Sequence, residues 1–169
     1  MKTTTDQNSV AGTPADKDFS GRRIAADKLR LLGVRLLSAA GMSHDDAAMV
    51  SEHVVGNSLM GVDSHGVVRF AQYMSLIESG AIDPAGTPLV VIDEPTMIRI
   101  DGRGGHGVPA MVQLAECTAQ KARTAGMATG ALVNCGHTGR IGAYAETIAR
   151  QGCFAVIIGG GGHTRGNPK

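Results

Sequence analysis

The fold class is decided by residues 89–133, which read LVVIDEPTMIRIDGRGGHGVPAMVQLAECTAQKARTAGMATGALV. Two short runs rich in β-branched residues, Leu89–Ile92 and Met97–Ile100, predict a pair of strands. The helical spacing of apolar residues over Val108–Thr124 predicts a helix, and Met127–Val133 predicts a strand of small residues. Strands that alternate with helices are typical of an α/β fold, an open sheet with helices packed on it.

The same alternation continues toward the C-terminus. Arg140–Arg150 has a helical pattern, and Phe154–Ile158 is a continuous apolar run of the kind found in buried parallel strands. Residues 81–169 therefore predict a β-β-α-β-α-β region. A buried strand that runs into a glycine loop, here Gly159–Gly162, normally leads to a further element. We therefore expect this region to be incomplete and the chain to be the N-terminal portion of a longer protein.

Helical patterns fill residues 21–80, ahead of the α/β region. The first covers Ile24–Ala40, and the second begins after the N-cap residue Ser43 and ends near Met60. The third begins at Asp63 or Ser64 and ends at Ser79, before a glycine. Residues 1–20 are rich in Thr, Asp, Ser and Pro and contain no apolar signal-peptide core, which predicts a disordered tail.

Composition excludes several classes of function. The chain has 16 basic and 15 acidic residues and only 3% aromatics, so neither charge nor base stacking favours nucleic acid. No apolar run approaches the ~18–20 residues that span a bilayer. The three cysteines form no Cys-x-x-Cys pair, and the six histidines have no metal-ligand spacing with Cys or acids. We expect reduced thiols, a cytoplasmic protein and no metal site.

One candidate site lies on the third predicted helix. His65, Arg69 and Tyr73 are four residues apart and so share one face, with Ser64 at the N-terminal end. A guanidinium binds a carboxylate through two parallel hydrogen bonds. An imidazole and a phenol on the same face can orient the rest of a small polar substrate. The alternative is an ordinary solvated face bearing polar residues.

A second candidate is His137, in the turn Gly136-His137-Thr138-Gly139-Arg140 that follows the Met127–Val133 strand. Ligands of open α/β sheets bind beyond the carboxyl ends of the strands, where this turn falls. An imidazole titrates near ~6.5, so it can accept a hydroxyl proton and return it. The alternative is a histidine that caps the turn.

The segment Gly102–Gly107 matches the Gly-x-Gly-x-x-Gly pattern of dinucleotide-binding loops and lies between a predicted strand and a helix. However, the next strand ends at Val133-Asn134-Cys135, without the acid that binds the ribose hydroxyls. A glycine turn is therefore the favoured interpretation, and a Rossmann phosphate loop remains the alternative.

Taken together, these motifs resemble the type 2 malate/L-lactate dehydrogenase family, which includes malate, lactate, sulfolactate and ureidoglycolate dehydrogenases. The resemblance runs from about Ile24 to the last residue. It rests on motifs in the right order, namely Gly61-Val62-Asp63-Ser64-His65-Gly66 with Arg69 and Tyr73, Ile100-Asp101-Gly102, and Gly136-His137-Thr138-Gly139-Arg140-Ile141-Gly142 with Tyr144.

The resemblance implies an oxidoreductase that transfers hydride between NAD or NADP and a small 2-hydroxy or 2-oxo acid, on a non-Rossmann fold and as a homodimer. It implies His137 as the general base and His65 as a proton donor, and either could move the proton. Ser64, Arg69 and Tyr73 match substrate-contacting positions, and Gly160 and Gly161 match the first cofactor loop.

Family members are considerably longer than this chain. We therefore expect the 169-residue chain alone to be inactive. The alternative function is a non-catalytic binding or assembly protein on the same scaffold.

Overall fold

The computed structural model describes residues 23–160, so the predicted tail (1–20) and Gly161 lie outside the described residues. No helix among the described residues is long and apolar enough to cross a membrane. The elements, in chain order, are α1 (Ala26–Ala39), α2 (His44–Leu59), a short 3-10 helix (Asp63–His65), α3 (Arg69–Glu78), β1 (Leu89–Glu94), β2 (Met97–Asp101), α4 (Gly107–Ala125), β3 (Thr129–Val133) and α5 (Ile141–Arg150).

The first three α-helices pack around a helical core. Ser43 begins α2 as predicted, because its hydroxyl accepts the Asp46 N–H at 3.1 Å. The buried members of this core come from α1, α2 and α3, from the loop between α1 and α2 and from the start of α4: Leu37, Met42, Ala47, Val50, Val54, Val55, Phe70, Tyr73 and Val108. Val108 belongs to α4, and Val112, one turn later, packs against both this core and the core of the sheet region, so α4 connects the two regions.

The sheet has the order β1-β2-β3 within the described residues. β1 and β2 pair antiparallel, and β2 and β3 pair parallel, with Met97 opposite Thr129 and Asp101 opposite Val133. The crossover between the two parallel strands is α4, which confirms the predicted β-β-α-β order. α4 and α5 bury a second core that includes Ile98, Ile100, Met111, Leu114, Tyr144 and Ile148. The carboxyl ends of β2 and β3 therefore meet beside the N-terminus of α4.

The strand predicted at Phe154–Ile158 is wrong. This segment is irregular and pairs with no strand among residues 23–160. Burial nevertheless alternates along it, since Cys153, Ala155 and Ile157 pack on the α4/α5 core. Phe154, Val156 and Ile158 are 92%, 74% and 91% exposed on the opposite side. An apolar run reports a tendency to be buried, whereas a strand also needs a hydrogen-bonded neighbour.

The third helix was predicted to be continuous from Asp63 or Ser64, and that is also wrong. The chain forms one 3-10 turn, breaks at Gly66 and starts α3 only at Arg69. Ser58 of α2 accounts for the break, because its hydroxyl accepts the Val67 N–H at 3.0 Å. A Cβ at Gly66 would lie 2.1 Å from that oxygen, so only glycine lets the backbone approach α2 this closely.

Candidate active site

The loop that carries His137 leaves β3 at its carboxyl end and packs against the start of α4. Gly136 N–H donates to the Gly105 carbonyl at 2.8 Å. A Cβ at Gly107 would lie 2.5 Å from the Gly136 carbonyl oxygen and 2.8 Å from that of His137. Close contact between two backbones therefore explains these glycines, and it fixes the loop at the end of the sheet.

His137 is hydrogen-bonded to Tyr73 from the helical region. The Tyr73 hydroxyl lies 2.9 Å from His137 Nδ1, although the two residues are 64 positions apart. Tyr73 is fully buried, and burial raises the pKa of its phenol to about 12, an effect that Arg69 partly offsets. The phenol therefore stays neutral and can either donate to the imidazole or accept from it.

The surroundings of His137 favour its neutral form. Burial lowers the pKa of its imidazole below the ordinary value, and the nearby charges of Arg69 and His65 lower it further. The Gly139 N–H donates to Nδ1 at 3.2 Å, and the Tyr73 hydroxyl lies 2.9 Å from the same nitrogen. Nε2 has no hydrogen-bond partner among the described residues, so it is the nitrogen that remains available to a substrate. When Nδ1 carries a proton, the Tyr73 oxygen can accept a hydrogen bond from it.

His65 lies beside His137, although not for the reason the sequence predicted. It belongs to the 3-10 turn rather than to the face of α3, yet its ring stacks on His137 with centroids 5.7 Å apart. Its Nδ1 is 3.0 Å from the Ser64 hydroxyl. The 3-10 turn therefore brings His65 and Ser64 close to the imidazole of His137.

Arg69 is anchored at the edge of this group. Its Nε donates to the Ser64 carbonyl at 2.6 Å, and Nη1 donates to the Gln72 side chain. Nη2 has no hydrogen-bond partner among the described residues, so part of the guanidinium remains available for an anion. Arg69 is half-buried and stands close enough to His137 to lower its pKa. A carboxylate at Arg69 would therefore lie near the candidate base.

Sequence reasoning missed the residues that hold the two histidine loops. Arg140 N–H donates to His53 Nε2 at 2.9 Å, and Arg140 Nε donates to Asn57 Oδ1 at 2.9 Å. The Asn57 amide in turn donates to the His65 carbonyl at 3.1 Å. The sequence contained one signal for this role. Asn57 continues the helical stripe of Val50 and Val54, so a polar amide stands where the pattern calls for an apolar side chain.

The structure contradicts the Rossmann alternative for Gly102–Gly107. His106 is buried at the N-cap of α4, and its Nδ1 accepts the Val108 N–H at 3.2 Å. Its ring also meets Tyr73 edge to face, with centroids 4.3 Å apart. The helix N-terminus is therefore capped by a side chain and covered by the Gly136–His137 backbone, which leaves no space there for a pyrophosphate.

The described residues do not enclose a nicotinamide site. Gly160 and His137 line the same groove, whose volume is about 1220 Å³. However, a Cβ at Gly160 would meet no atom within 4 Å, so the backbone there forms no cradle. Gly161, the other predicted cofactor residue, lies outside the described residues.

The sequence is similar to those of known dehydrogenases. The chain is 31% identical over 136 residues to a malate dehydrogenase from Pyrococcus abyssi, a match that covers 80% of this chain and 38% of that protein. An L-sulfolactate dehydrogenase from Methanocaldococcus jannaschii is 30% identical over 125 residues, which is 74% of this chain and 36% of the relative.

The fold also resembles that of a solved relative. The structure of malate dehydrogenase from Pyrococcus horikoshii OT3 superposes with a TM-score of 0.73 at 31% identity, covering 78% of this chain and 38% of that one. The chain thus spans less than half the length of these relatives. The family model described as malate/L-lactate dehydrogenase matches residues 24–160. The chain therefore belongs to the malate/L-lactate dehydrogenase family.

Proposed function

We propose that the whole protein interconverts a small 2-hydroxy acid and the corresponding 2-oxo acid with a nicotinamide cofactor. The observation that carries the proposal is the 2.9 Å contact between Tyr73 and His137, with His65 stacked on the same imidazole. Oxidation of a secondary alcohol needs a group that accepts the hydroxyl proton, and a neutral imidazole suits that role near neutral pH. Membership of the family supports the reaction class.

In this proposal His137 is the group that moves the proton. With the ring proton on Nδ1, donated to the Tyr73 oxygen, Nε2 has a free lone pair and accepts the hydroxyl proton during oxidation; Nε2 returns it to the carbonyl oxygen during reduction. The proton on Nδ1 of the charged ring is then held by Tyr73, whose neutral phenol can accept it. His65 remains the second candidate for the proton-donating role, because its ring lies against that of His137.

Arg69 binds the substrate carboxylate in this proposal. Its Nε is occupied by the Ser64 carbonyl, which orients the guanidinium, and Nη2 remains available among the described residues. The Ser64 hydroxyl lies 3.0 Å from His65 Nδ1, and the Tyr73 phenol lies 2.9 Å from His137 Nδ1. We propose that they contact the rest of the acid.

We propose NAD or NADP as the cofactor, which accepts or supplies the hydride at the carbon bearing the oxygen. The described residues do not by themselves form a site for this cofactor, since no other atom lies close to the position of a Cβ at Gly160. No step of the reaction is therefore assigned to the cofactor here. For this reason we propose that the 169-residue chain alone is inactive. We further propose a cytoplasmic homodimer. The free cysteines Cys117, Cys135 and Cys153 support that compartment, and the exposed leucines of α1 support association.

A direct assay tests this proposal. The whole protein, supplied with L-malate or L-lactate and NAD or NADP, is expected to form the reduced cofactor, which is measured by its absorbance. The His137→Ala variant is expected to lose about 10²–10⁴-fold in turnover, the usual contribution of general acid–base catalysis. Equal turnover by the variant would remove His137 from this role, and the absence of any reaction with 2-hydroxy acids would refute the proposed function.

The second candidate is a non-catalytic binding or assembly protein on the same scaffold. The open position of Gly160 favours it. Calorimetric titration of the 169-residue chain and of the whole protein with NAD and NADP separates the two functions. Binding of either cofactor by the whole protein supports the enzyme. A folded whole protein that binds neither NAD nor NADP supports the alternative.

A further inference from the structure

We propose that His53 and Asn57 are positioning residues that hold the loops carrying His65 and His137 in a fixed relation to each other. The two residues are one helical turn apart on α2, so they present their side chains on the same face of that helix. The inference rests on the proposed function, because it concerns the placement of the two histidines to which that function assigns the proton.

His53 holds the loop that carries His137. Its Nε2 accepts the Arg140 backbone N–H at 2.9 Å, three residues after His137. The loop is also tight against the ring, because a Cβ at Gly139 would lie 2.2 Å from the same nitrogen. Burial lowers the pKa of His53 to about 4, with further lowering by Arg140, so its Nε2 remains an acceptor at neutral pH.

Tyr144 packs against the ring of His53. The two rings stack with centroids 5.5 Å apart and an interplanar angle of 17°. The Tyr144 hydroxyl donates to the Thr138 carbonyl, the residue next to His137. The backbone on the C-terminal side of His137 is therefore bonded at two points, one through each ring.

Asn57 joins this loop to the one that carries His65. Its carbonyl oxygen accepts from Arg140 Nε at 2.9 Å, and its amide nitrogen donates to the His65 backbone carbonyl at 3.1 Å. Asn57 is 2% exposed, so both bonds are made away from solvent. Only a side chain with an acceptor and a donor on one planar group can satisfy both partners at this position.

The guanidinium of Arg140 also forms an ion pair with the carboxylate of Glu146. Its Nη1 donates to Glu146 at 2.9 Å, which leaves Nε directed to Asn57. None of these contacts touches the imidazoles of His65 or His137 directly, because every bond reaches the adjacent backbone or Arg140. His53 and Asn57 therefore act through the position of the loops, not through the chemistry of the rings.

Two neutral substitutions test the inference in the 169-residue chain. His53→Phe keeps a ring against Tyr144 but removes the acceptor, and Asn57→Leu keeps the shape but removes both hydrogen bonds. The readout is the pKa and tautomer of His65 and His137, measured by nitrogen-15 NMR of the histidine side chains. We expect His137 to become more solvated in both variants, so that its pKa rises, and we expect Asn57→Leu to shift the nitrogen-15 signals of His65 as well.

His53→Gln is the conservative rescue, because the amide oxygen of glutamine can reach the place of Nε2 and accept the Arg140 N–H. It is expected to leave His137 as in the parent chain. His44→Phe and Gln120→Leu, both at exposed positions on helices away from the site, are the matched controls. Circular dichroism identifies variants that keep the helical fold. Should His53→Phe fail to fold, Asn57→Leu supplies the same readout through the other side chain.

In the whole protein, His53→Phe is expected to reduce kcat by about 10–100-fold while KM changes little, since a small displacement of a proton-transferring group lowers the rate of chemistry. Folded His53→Phe and Asn57→Leu variants with unchanged histidine signals would overturn the inference. So would a His53→Gln variant that behaves like His53→Phe. The NMR readout does not depend on activity, so a failure of the proposed function would appear separately, as full activity of His137→Ala.

Discussion

The hydroxyl of Tyr73 lies 2.9 Å from Nδ1 of His137, and this contact joins the helical region to the sheet region. Tyr73 is provided by α3 and belongs to the helical core, whereas His137 follows β3 at the carboxyl end of the sheet. A neutral phenol beside a half-buried imidazole gives the ring a partner in both of its protonation states.

Replacing Tyr73 with Phe removes one hydrogen bond from His137 and keeps the buried ring. We expect kcat of the whole protein to fall by at least about 10-fold, because the charged form of His137 loses the oxygen that would accept its Nδ1 proton. We expect the free energy of unfolding to fall by about 1 kcal/mol, the usual net value of such a bond. Steady-state kinetics and urea unfolding measure the two effects. An unchanged kcat would show that the phenol does not support proton transfer.

Replacing Arg69 with Lys keeps the positive charge and removes the guanidinium that the Ser64 carbonyl orients. We expect KM for the hydroxy acid to rise by about 10–100-fold with a smaller effect on kcat, because a single ammonium cannot bond the Ser64 carbonyl and also present a donor at the place of Nη2. Arg35→Lys on the exposed side of α1 is the control. An unchanged KM would mean that the carboxylate is bound elsewhere.

Replacing Gly139 with Ala tests the contact between the His137 loop and His53. The glycine has φ +72°, and an added Cβ would lie 2.2 Å from His53 Nε2. Gly126→Ala is the control, since that glycine has φ +86° but a Cβ there meets nothing within 4 Å. Backbone strain alone costs about 1–2 kcal/mol, so the Gly139 variant should be destabilised by clearly more than the control. An equal decrease in the free energy of unfolding of both variants, measured by urea unfolding, would show that the His53 side chain moves aside at no cost.

Acid is expected to destabilise the fold through His106. Burial lowers the pKa of this imidazole to about 3 in the folded chain, against about 6.5 when unfolded. Between these values the unfolded state binds the extra proton, so the free energy of unfolding falls as the pH decreases below about 6.5, by up to about 1.4 kcal/mol per pH unit. Carboxylates with lowered pKa, Asp101 and Glu146, contribute in the same direction at lower pH.

His106→Asn isolates this contribution. Asparagine can cap α4 through its side-chain oxygen but does not titrate. Urea unfolding at about pH 7 and about pH 5 should show a smaller loss of stability in this variant than in the parent chain. His44→Asn, at an exposed position, should retain the parental loss. The same loss in all three proteins would assign the acid sensitivity to other groups.

Local pattern and turn chemistry were enough to predict most of the architecture. The β-branched runs, the helical spacing over Val108–Thr124 and the Ser43 cap each depend on neighbours in sequence, and each is confirmed. The Phe154–Ile158 strand is wrong because pairing depends on a distant edge, about which an apolar run carries no information. The prediction of a continuous helix through His65 is wrong because Ser58, on another helix, accepts the Val67 N–H and the backbone at Gly66 packs closely against it.

The candidate site was predicted in part for the same reason. Histidine and arginine beside glycine mark Ser64–Arg69 and Gly136–Arg140 from sequence alone, and the structure places the two segments together. The assumption that His65 and Arg69 share one helix face is wrong, since their proximity comes from the turn between them. His53 and Asn57 were missed because helical spacing gives the face a residue occupies but not the loop that contacts it.

The decisive measurement is the pH dependence of kcat/KM for hydroxy-acid oxidation, compared between the whole protein and its His137→Gln variant. We expect the activity of the parent to fall on the acid side with a pKa below 6.5, because a partly buried imidazole must be neutral to accept the proton. We expect this acid limb to disappear in the variant, together with most of the rate. The same acid limb at a comparable rate in the variant would exclude His137 as the base.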